Sequence, residues 1–333
     1  MGSGKLKVIS LAVLIALILS ASALFGVYYY INNIPSVSED KVIDIPKGKG
    51  VRSISTLLED DGVIKSGDLF VIYVIGKGWQ DRLKAGEYEF KKGNTMADIA
   101  LKLSRGDVVI HRVTVPEGLT VREIAELLDK SGVLDGGEFM AAAGNPKLLE
   151  GLPGRHLTGV EGYLFPDTYS YTKGVTPEEF VQMMVGRFNE VYKSLGGLKN
   201  RVNLTDNEII TLASMIEKET GTASERPLIS AVFHNRLKLG MRLESDPTVI
   251  YGMGEDFDGN LTKEDLNTMS QYNTYLVNGL PPGPISNPGK ESIIAALDPA
   301  PVGYLYFVSR GNGTHYFSTN YKDHRRAVSE YQR

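Results

Sequence analysis

A chain of 333 residues is longer than one average domain, so two or three modules are expected and a mini-protein is excluded. Hydrophobic residues at 42% and charged residues at 23% are ordinary globular usage, which argues against a mostly disordered chain and against a polytopic membrane protein. The 36 Lys and Arg against 40 Asp and Glu give a formal net charge of -4, which offers nucleic acid no basic footprint. Cysteine is absent, which removes thiol nucleophiles, disulfides and thiolate metal sites together. The 5 histidines, at 111, 156, 234, 315 and 324, contain no pair at zinc-protease spacing.

From Val8 to Tyr30 no charge interrupts an apolar run, and a helix rising about 1.5 Å per residue over that stretch reaches roughly 34 Å, enough for a bilayer. Lys5 and Lys7 precede it and Tyr28, Tyr29 and Tyr30 close it, the order expected of a single span with its amino terminus in the cytoplasm. Ala21-Ser22-Ala23 supports a rival reading as a cleaved secretory leader, against which the run continues through Leu24, Phe25 and Val27. Both readings export the rest. Residues 31–40, with Pro35 and Ser36, read as a linker.

A strand and helix element then recurs three times. The first copy runs from Ile43 through Pro46-Lys47-Gly48 to Val51, Ile54, Leu57 and Leu58, ending at Gly62-Val63-Ile64. The same order returns at Pro116-Glu117-Gly118, Val121, Ile124, Leu127, Leu128 and Gly132-Val133-Leu134, and a middle copy places Gly93, Met96, Ile99, Leu103 and Gly106 in nearly the same register. Alternating apolar residues predict half-buried strands, the glycines tight turns, and the helical spacing one buried face. The pattern resembles the start of a LysM module, a small fold that binds N-acetylglucosamine polymers. Small α/β units acting as a spacer are the alternative.

The next informative stretch is NEIITLASMIEKET, Asn207 to Thr220, whose Ile209, Leu212, Ala213 and Ile216 predict a helix that Gly221 would end. On a helical wheel Glu217 and Glu219 flank the apolar stripe while Lys218 points to water. A carboxyl at such an edge loses hydration, which favours its protonated form and suits a general acid. Two surface glutamates on an ordinary amphipathic helix fit the periodicity equally. A second helix is expected from Glu225 to Leu239, capped by Ser224 and ended by Gly240, and a short third one capped by Ser245 or Asp246. The run GLPPGPISNPG, with its prolines and glycines, reads as a stiff loop and a preset binding wall. Tyr272, Asn273 and Tyr275 beside it offer an aromatic face and an amide, groups suited to sugar rings with acetamido arms, or to a core.

Together ASMIEKET (213–220), ASER (223–226), FHNRL (233–237), MRLESDPTVIYG (241–252), YNTY (272–275), GLPPGPISNPG (279–289), YLYFV (304–308) and EGYLFPDTY (161–169) resemble the YceG-like family of endolytic murein transglycosylases. The resemblance covers the C-terminal half in order, behind an anchor and LysM-like segment. It implies cleavage of the β-1,4 bond between N-acetylmuramic acid and N-acetylglucosamine inside peptidoglycan strands, leaving 1,6-anhydro ends, with Glu219 as the single acid and base. It implies neither metal nor organic cofactor, a place at the bacterial cytoplasmic membrane with the body outside the cytoplasm, and work beside the glycan-polymerising machinery. Asn235, Asp246, Tyr251, Tyr272, Asn273 and Glu161 are the candidates to orient saccharides. Thr220 stands where many lytic transglycosylases have serine, and Gln271 stands where many members have proline.

The expected architecture is therefore α+β: a cytoplasmic tail at 1–7, a transmembrane helix at 8–30, the linker, LysM-like repeats over 41–135, and a mainly helical catalytic domain over 136–333. A C-terminal hairpin is expected around Gly311-Asn312-Gly313 and a last helix from about Tyr321. Two rival functions remain open, a hydrolytic muramidase on the same bond and a noncatalytic wall-binding scaffold.

Overall fold

The structure, a computed structural model, describes residues 2–149, 152 and 159–332, so His156 lies outside the described residues. It is α+β, with twelve α-helices and three two-stranded sheets among the described residues. The chain divides into two compact units, residues 1–111 with 170–174, and residues 112–169 with 175–333.

The first unit opens with α1 (Gly2–Asn33), of which Lys7–Asn33 is long and apolar enough to cross a membrane. Behind it come β1 (Lys41–Ile45), α2 (Val51–Asp60), α3 (Gly67–Gly76), β2 (Gly86–Phe90) and α4 (Met96–Arg105). Strands β1 and β2 pair antiparallel, Lys41 opposite Phe90 and Ile45 opposite Gly86. Their inward side chains join Leu58, Phe70, Ile99 and Leu103 in one core, where the rings of Tyr88 and Phe90 stack at 6.0 Å. Residues expected as a tether are instead held down. Ser36 N–H donates to Asn94 O at 2.8 Å, Gly93 N–H donates to Val37 O at 2.9 Å, and Ile31 and Val37 are buried. The backbone leaving α1 needs partners for its polar groups, and the turn at Gly93 supplies them.

The three copies of the repeat share their geometry. A third helix, α5 (Val121–Lys130), follows β3 (His111–Thr114) in the way that α2 follows β1 and α4 follows β2. Gly48, Gly93 and Gly118 all adopt positive φ in the turn before the helix, and Gly62, Gly106 and Gly132 do so just beyond it. Thr95 and Thr120 cap α4 and α5 through capping boxes with Asp98 and Glu123. Helix α5 belongs to the second unit, apart from the other two copies.

In that second unit α6 (Gly136–Ala143) and α7 (Pro177–Ser194) lead into α8 (Asp206–Glu219), and β4 (Thr168–Tyr171), between α6 and α7, has its first two residues in this unit and its last two in the first. Helix α8 is the axis of the core, with Ile209, Ile210, Leu212, Ala213, Met215 and Ile216 all buried. Its other side is buried too, which the amphipathic reading did not foresee. The proline-rich loop lies against this side at Ser214. Ile285 N–H donates to Ser214 Oγ at 3.0 Å and Ser286 Oγ donates to Ser214 O at 3.3 Å. Around α8 stand α9 (Arg226–Lys238), α10 (Asp246–Met253) and α11 (Lys290–Leu297), and the hairpin of β5 (Tyr306–Ser309) and β6 (His315–Ser318) precedes α12 (Tyr321–Tyr331). Helix α9 starts one residue later than expected, because Ala223–Glu225 is a single 3-10 turn and the Glu225 side chain turns to His315 instead. Helix α8 ends without a left-handed glycine, on an extended Thr220.

Gly162 shows how tightly this unit is packed: its φ is +86°, and a β-carbon there would stand 2.5 Å from the Pro284 ring. Gly162→Ala is therefore expected to destabilise the second unit by about 2–4 kcal/mol, from left-handed strain and overpacking together, as a fall in melting temperature. An unchanged melting temperature would show that the loop yields freely.

Candidate active site

The two glutamates that the sequence places on either side of the α8 stripe have different surroundings. Glu217 is a paired group: its Oε1 accepts from Arg226 Nη2 at 3.2 Å and its Oε2 from the Gly289 N–H at 2.8 Å, with only 6% of the side chain exposed. Both oxygens of this carboxylate are therefore taken up in holding α8 to α9 and to the loop before α11. Glu219, the last residue of α8, is partly buried and, among the described residues, has one side-chain hydrogen bond, accepted by Oε1 from Ser245 Oγ at 2.5 Å.

The Glu219 carboxyl is pushed up to about 7, first by burial and then by the negative charge of Asp246, against the Ser245 hydrogen bond and the distant charge of Arg236. Its place at the negative end of the helix macrodipole acts in the same upward direction. A carboxyl poised near neutrality can give a proton and take one back without a large penalty either way.

Of Ser245 and Asp246, the two caps that the sequence offers for α10, Ser245 holds the N-cap position, but its side chain makes no cap bond and serves Glu219 instead. The residue is locked from behind: its N–H donates to Thr274 Oγ1 at 3.0 Å, its carbonyl accepts from Thr248 Oγ1 at 2.6 Å, and the two threonine hydroxyls meet at 2.9 Å. Just before it, Glu244 has φ +50°, the one non-glycine residue in the left-handed region among those described. Arg236 Nη1 holds the Glu244 carboxylate at 3.0 Å and donates to the carbonyls of Arg242 and Leu243, so the strained turn is braced. The signal that could have found Ser245 is weak, a serine between two charged residues ahead of a proline.

The other candidates fall into two groups. Asp246 is exposed and its Oδ1 accepts from Tyr275 OH at 2.6 Å. Tyr251 and Tyr272 pack ring to ring at 4.8 Å, and Tyr251 OH donates to Glu161 at 3.4 Å. Asn235 and Asn273 do structural work with their amide nitrogens. Asn235 Nδ2 donates to the carbonyls of Val302 and Tyr304, both at 2.9 Å, and the fully buried Asn273 donates to those of Leu266 and Thr268.

Glu161 also rises to about 7, chiefly by burial, and accepts from the Val121 N–H at 3.2 Å and from Asn287 Nδ2 at 3.1 Å. Asn287 is the hub that the sequence did not reveal. Its Oδ1 accepts from the Leu164 N–H at 2.9 Å, its Nδ2 donates to Leu119 O at 2.9 Å, and its backbone pairs with Gly118 and Leu119. The loop expected as a preset binding wall is buried from Pro284 to Gly289, where it ties Leu119, Glu161 and α8 together. A cavity of about 400 Å³ in the same unit, lined by Glu117, Phe165, Asp167, Arg187 and Lys290 among others, does not include Glu219.

The second unit is thus mainly helical and built around one buried helix that ends on a carboxyl raised to about 7. The chain belongs to the YceG-like family, whose model matches residues 43–330. A protein named endolytic murein transglycosylase from Streptococcus pneumoniae serotype 2 strain D39 is 33% identical, across 98% of this chain and 65% of its own length. One of the same name from Bacillus subtilis strain 168 is 36% identical, across 87% of this chain and 84% of its own. The chain therefore spans 65% of the length of the Streptococcus relative. A crystal structure of a YceG-like protein from Listeria monocytogenes, 33% identical, covers 87% of this chain and 100% of that one with a TM-score of 0.60.

The raised acid makes a stability test with a definite sign. In the folded state Glu219 titrates at about 7 against an ordinary 4.5, so the stability carried by its proton is whole below pH 4.5 and is lost as pH rises through 7. Glu219→Gln keeps the neutral form at every pH. Its melting temperature relative to wild type should climb between about pH 5 and about pH 8, by the equivalent of about 3 kcal/mol at most. A difference that does not vary with pH would mean that the carboxyl is hydrated and ordinary.

Proposed function

We propose that the protein is a membrane-anchored endolytic transglycosylase of peptidoglycan, cleaving the β-1,4 bond between N-acetylmuramic acid and N-acetylglucosamine within glycan strands. The observation that carries this reading is the environment of Glu219, raised to about 7 and oriented by Ser245, in a chain of the YceG-like family. The names of the Streptococcus and Bacillus relatives support the activity.

In the proposed mechanism, protonated Glu219 gives its proton to the glycosidic oxygen as the bond to the muramyl C1 breaks. The resulting carboxylate then removes the proton from the C6 hydroxyl of the same sugar as that oxygen closes onto C1. One carboxyl therefore serves twice, and the products are a 1,6-anhydro-muramyl end and a free N-acetylglucosamine hydroxyl. Glycosidases ordinarily use two carboxylates, one to protonate the leaving oxygen and one to support attack at the anomeric carbon. Here the attacking oxygen is already part of the sugar, and positioning supplies much of what a second residue otherwise would. Ser245 favours the ionised half of the cycle by donating to it, while burial and Asp246 favour the protonated half.

Of the saccharide candidates, Asp246 and Tyr272 are the proposed contacts nearest to this chemistry. Tyr251 and Glu161 are proposed to act behind them, and Asn235 and Asn273 to shape the loops that carry them. The repeats over 41–135, with their shared left-handed turns, are proposed as LysM-like wall-binding units ahead of a catalytic domain over 136–333. With Lys5 and Lys7 inside, α1 would hold the enzyme in the cytoplasmic membrane as a single pass, with the body outside the cytoplasm and beside the glycan-polymerising machinery.

One observation favours a second reading. Asp246 is close enough to raise the Glu219 carboxyl, so a two-carboxylate hydrolysis is the runner-up. Mass spectrometry of digested glycan strands separates the two. The wild type should yield anhydro ends, and Glu219→Gln should lose about 10²–10⁴-fold of that activity, the usual worth of a positioned acid and base. Reducing ends one water heavier would establish hydrolysis, and equal activity in both proteins would remove Glu219 from its role.

A further inference from the structure

Helix α3 breaks the usual relation between composition and burial. Its sequence, GDLFVIYVIG, has one charged residue and is apolar all round, a pattern that belongs in a core or in a membrane. Gly67, Phe70, Val71 and Val74 do face the core of the first unit. Ile72 and Ile75, on the opposite face, are 64% and 55% exposed. Nothing in this unit covers them among the described residues.

The position of α3 in the unit says what does. Helix α1 ends inside the same core, with Ile31 buried and Tyr30 packed against it in the cluster that also takes in Tyr73 and Trp79. Tyr28, two residues earlier, lies near enough to act on Tyr73, whose hydroxyl is raised first by burial and then by that neighbour. If α1 spans the bilayer, its aromatic end at Tyr28, Tyr29 and Tyr30 marks the membrane surface, and Tyr73 and Trp79 pack against the same core cluster as Tyr30. Tyr73 and Trp79 meet edge to face at 6.4 Å, and Lys77 Nζ stands 5.5 Å over the Tyr73 ring. Tyrosine, tryptophan and lysine beside exposed isoleucines, in α3 and the turn that follows it, are the side chains that settle at a membrane–water interface.

We infer that α3 lies in the interfacial layer of the bilayer, with Ile72 and Ile75 at the acyl boundary and Tyr73, Lys77 and Trp79 at the headgroups, fixing the first unit flat against the membrane that α1 crosses. The occupant of this face is lipid. This rests on α1 being inserted and is independent of the chemistry at Glu219.

The chain's single tryptophan, Trp79, is the reporter. Full-length protein is reconstituted into vesicles of phosphatidylcholine and phosphatidylglycerol, some carrying a nitroxide near the glycerol backbone and others near the bilayer centre. Flotation with the vesicles after a carbonate wash first establishes insertion of α1, and failure there removes the anchor itself. In floated protein, the shallow nitroxide should quench Trp79 about three-fold more than the deep one, and aqueous iodide should reach it poorly. Ile72→Ser combined with Ile75→Ser should cut the shallow quenching by roughly half and admit iodide, while Ile75→Leu should leave both unchanged. Floated protein whose Trp79 is quenched by iodide and by neither nitroxide would overturn the proposal. So would an Ile75→Cys variant that forms a disulfide with a second copy, since the face would then belong to a self-contact.

Discussion

The carboxyl of Glu219 is kept from ionising easily by where it stands. It closes a helix whose every earlier apolar residue is buried, at the end where the backbone dipole is negative, with Asp246 adding charge of the same sign. Only the Ser245 hydroxyl and the more distant Arg236 act in the opposite direction. The balance near neutrality makes a two-way proton carrier physically reasonable, and each part of the second unit contributes to it. Helix α8 brings the carboxyl to its end, the braced turn before α10 brings the hydroxyl, and the threonine pair keeps that hydroxyl pointed.

Glu217, on the same helix, has quite different partners. Glu217 is less exposed than most carboxylates, yet a guanidinium and a backbone N–H take up both of its oxygens. Two residues further along, the same helix offers no such partners. Glu161 is a third case, raised by burial like Glu219 but surrounded by donors from α5, Asn287 and Tyr251, so that it ties segments together. Three glutamates on or against one core thus divide into an ion pair, a hydrogen-bonded tie and a carboxyl with a single hydroxyl beside it.

The repeats illustrate a different economy. Glycine stands wherever the backbone must adopt positive φ on entering or leaving each short helix, and the apolar residues between them need only face one way. The first unit joins two of these elements across one antiparallel strand pair, while the third copy helps to build the second unit. An element that folds by local rules can therefore be used in two settings.

Much of this was legible without coordinates, because it depends on neighbours in sequence. The apolar run of α1, the three strand and helix copies, the hairpin at Gly311-Asn312-Gly313, the start of α12 at Tyr321 and the flanking positions of Glu217 and Glu219 follow from period, turn chemistry and composition. What separates the two glutamates does not. Arg226, Gly289 and Ser245 reach them from other segments, and no local pattern records those meetings. The same holds for Asn287, whose hydrogen bonds reach distant stretches, and for the proline-rich loop, whose stiffness is legible in its composition but whose burial against Ser214 is not. Periodicity determines which side of a helix is apolar. Only tertiary packing decides which polar groups lose water and which find a partner, and that difference sets the protonation of a carboxyl.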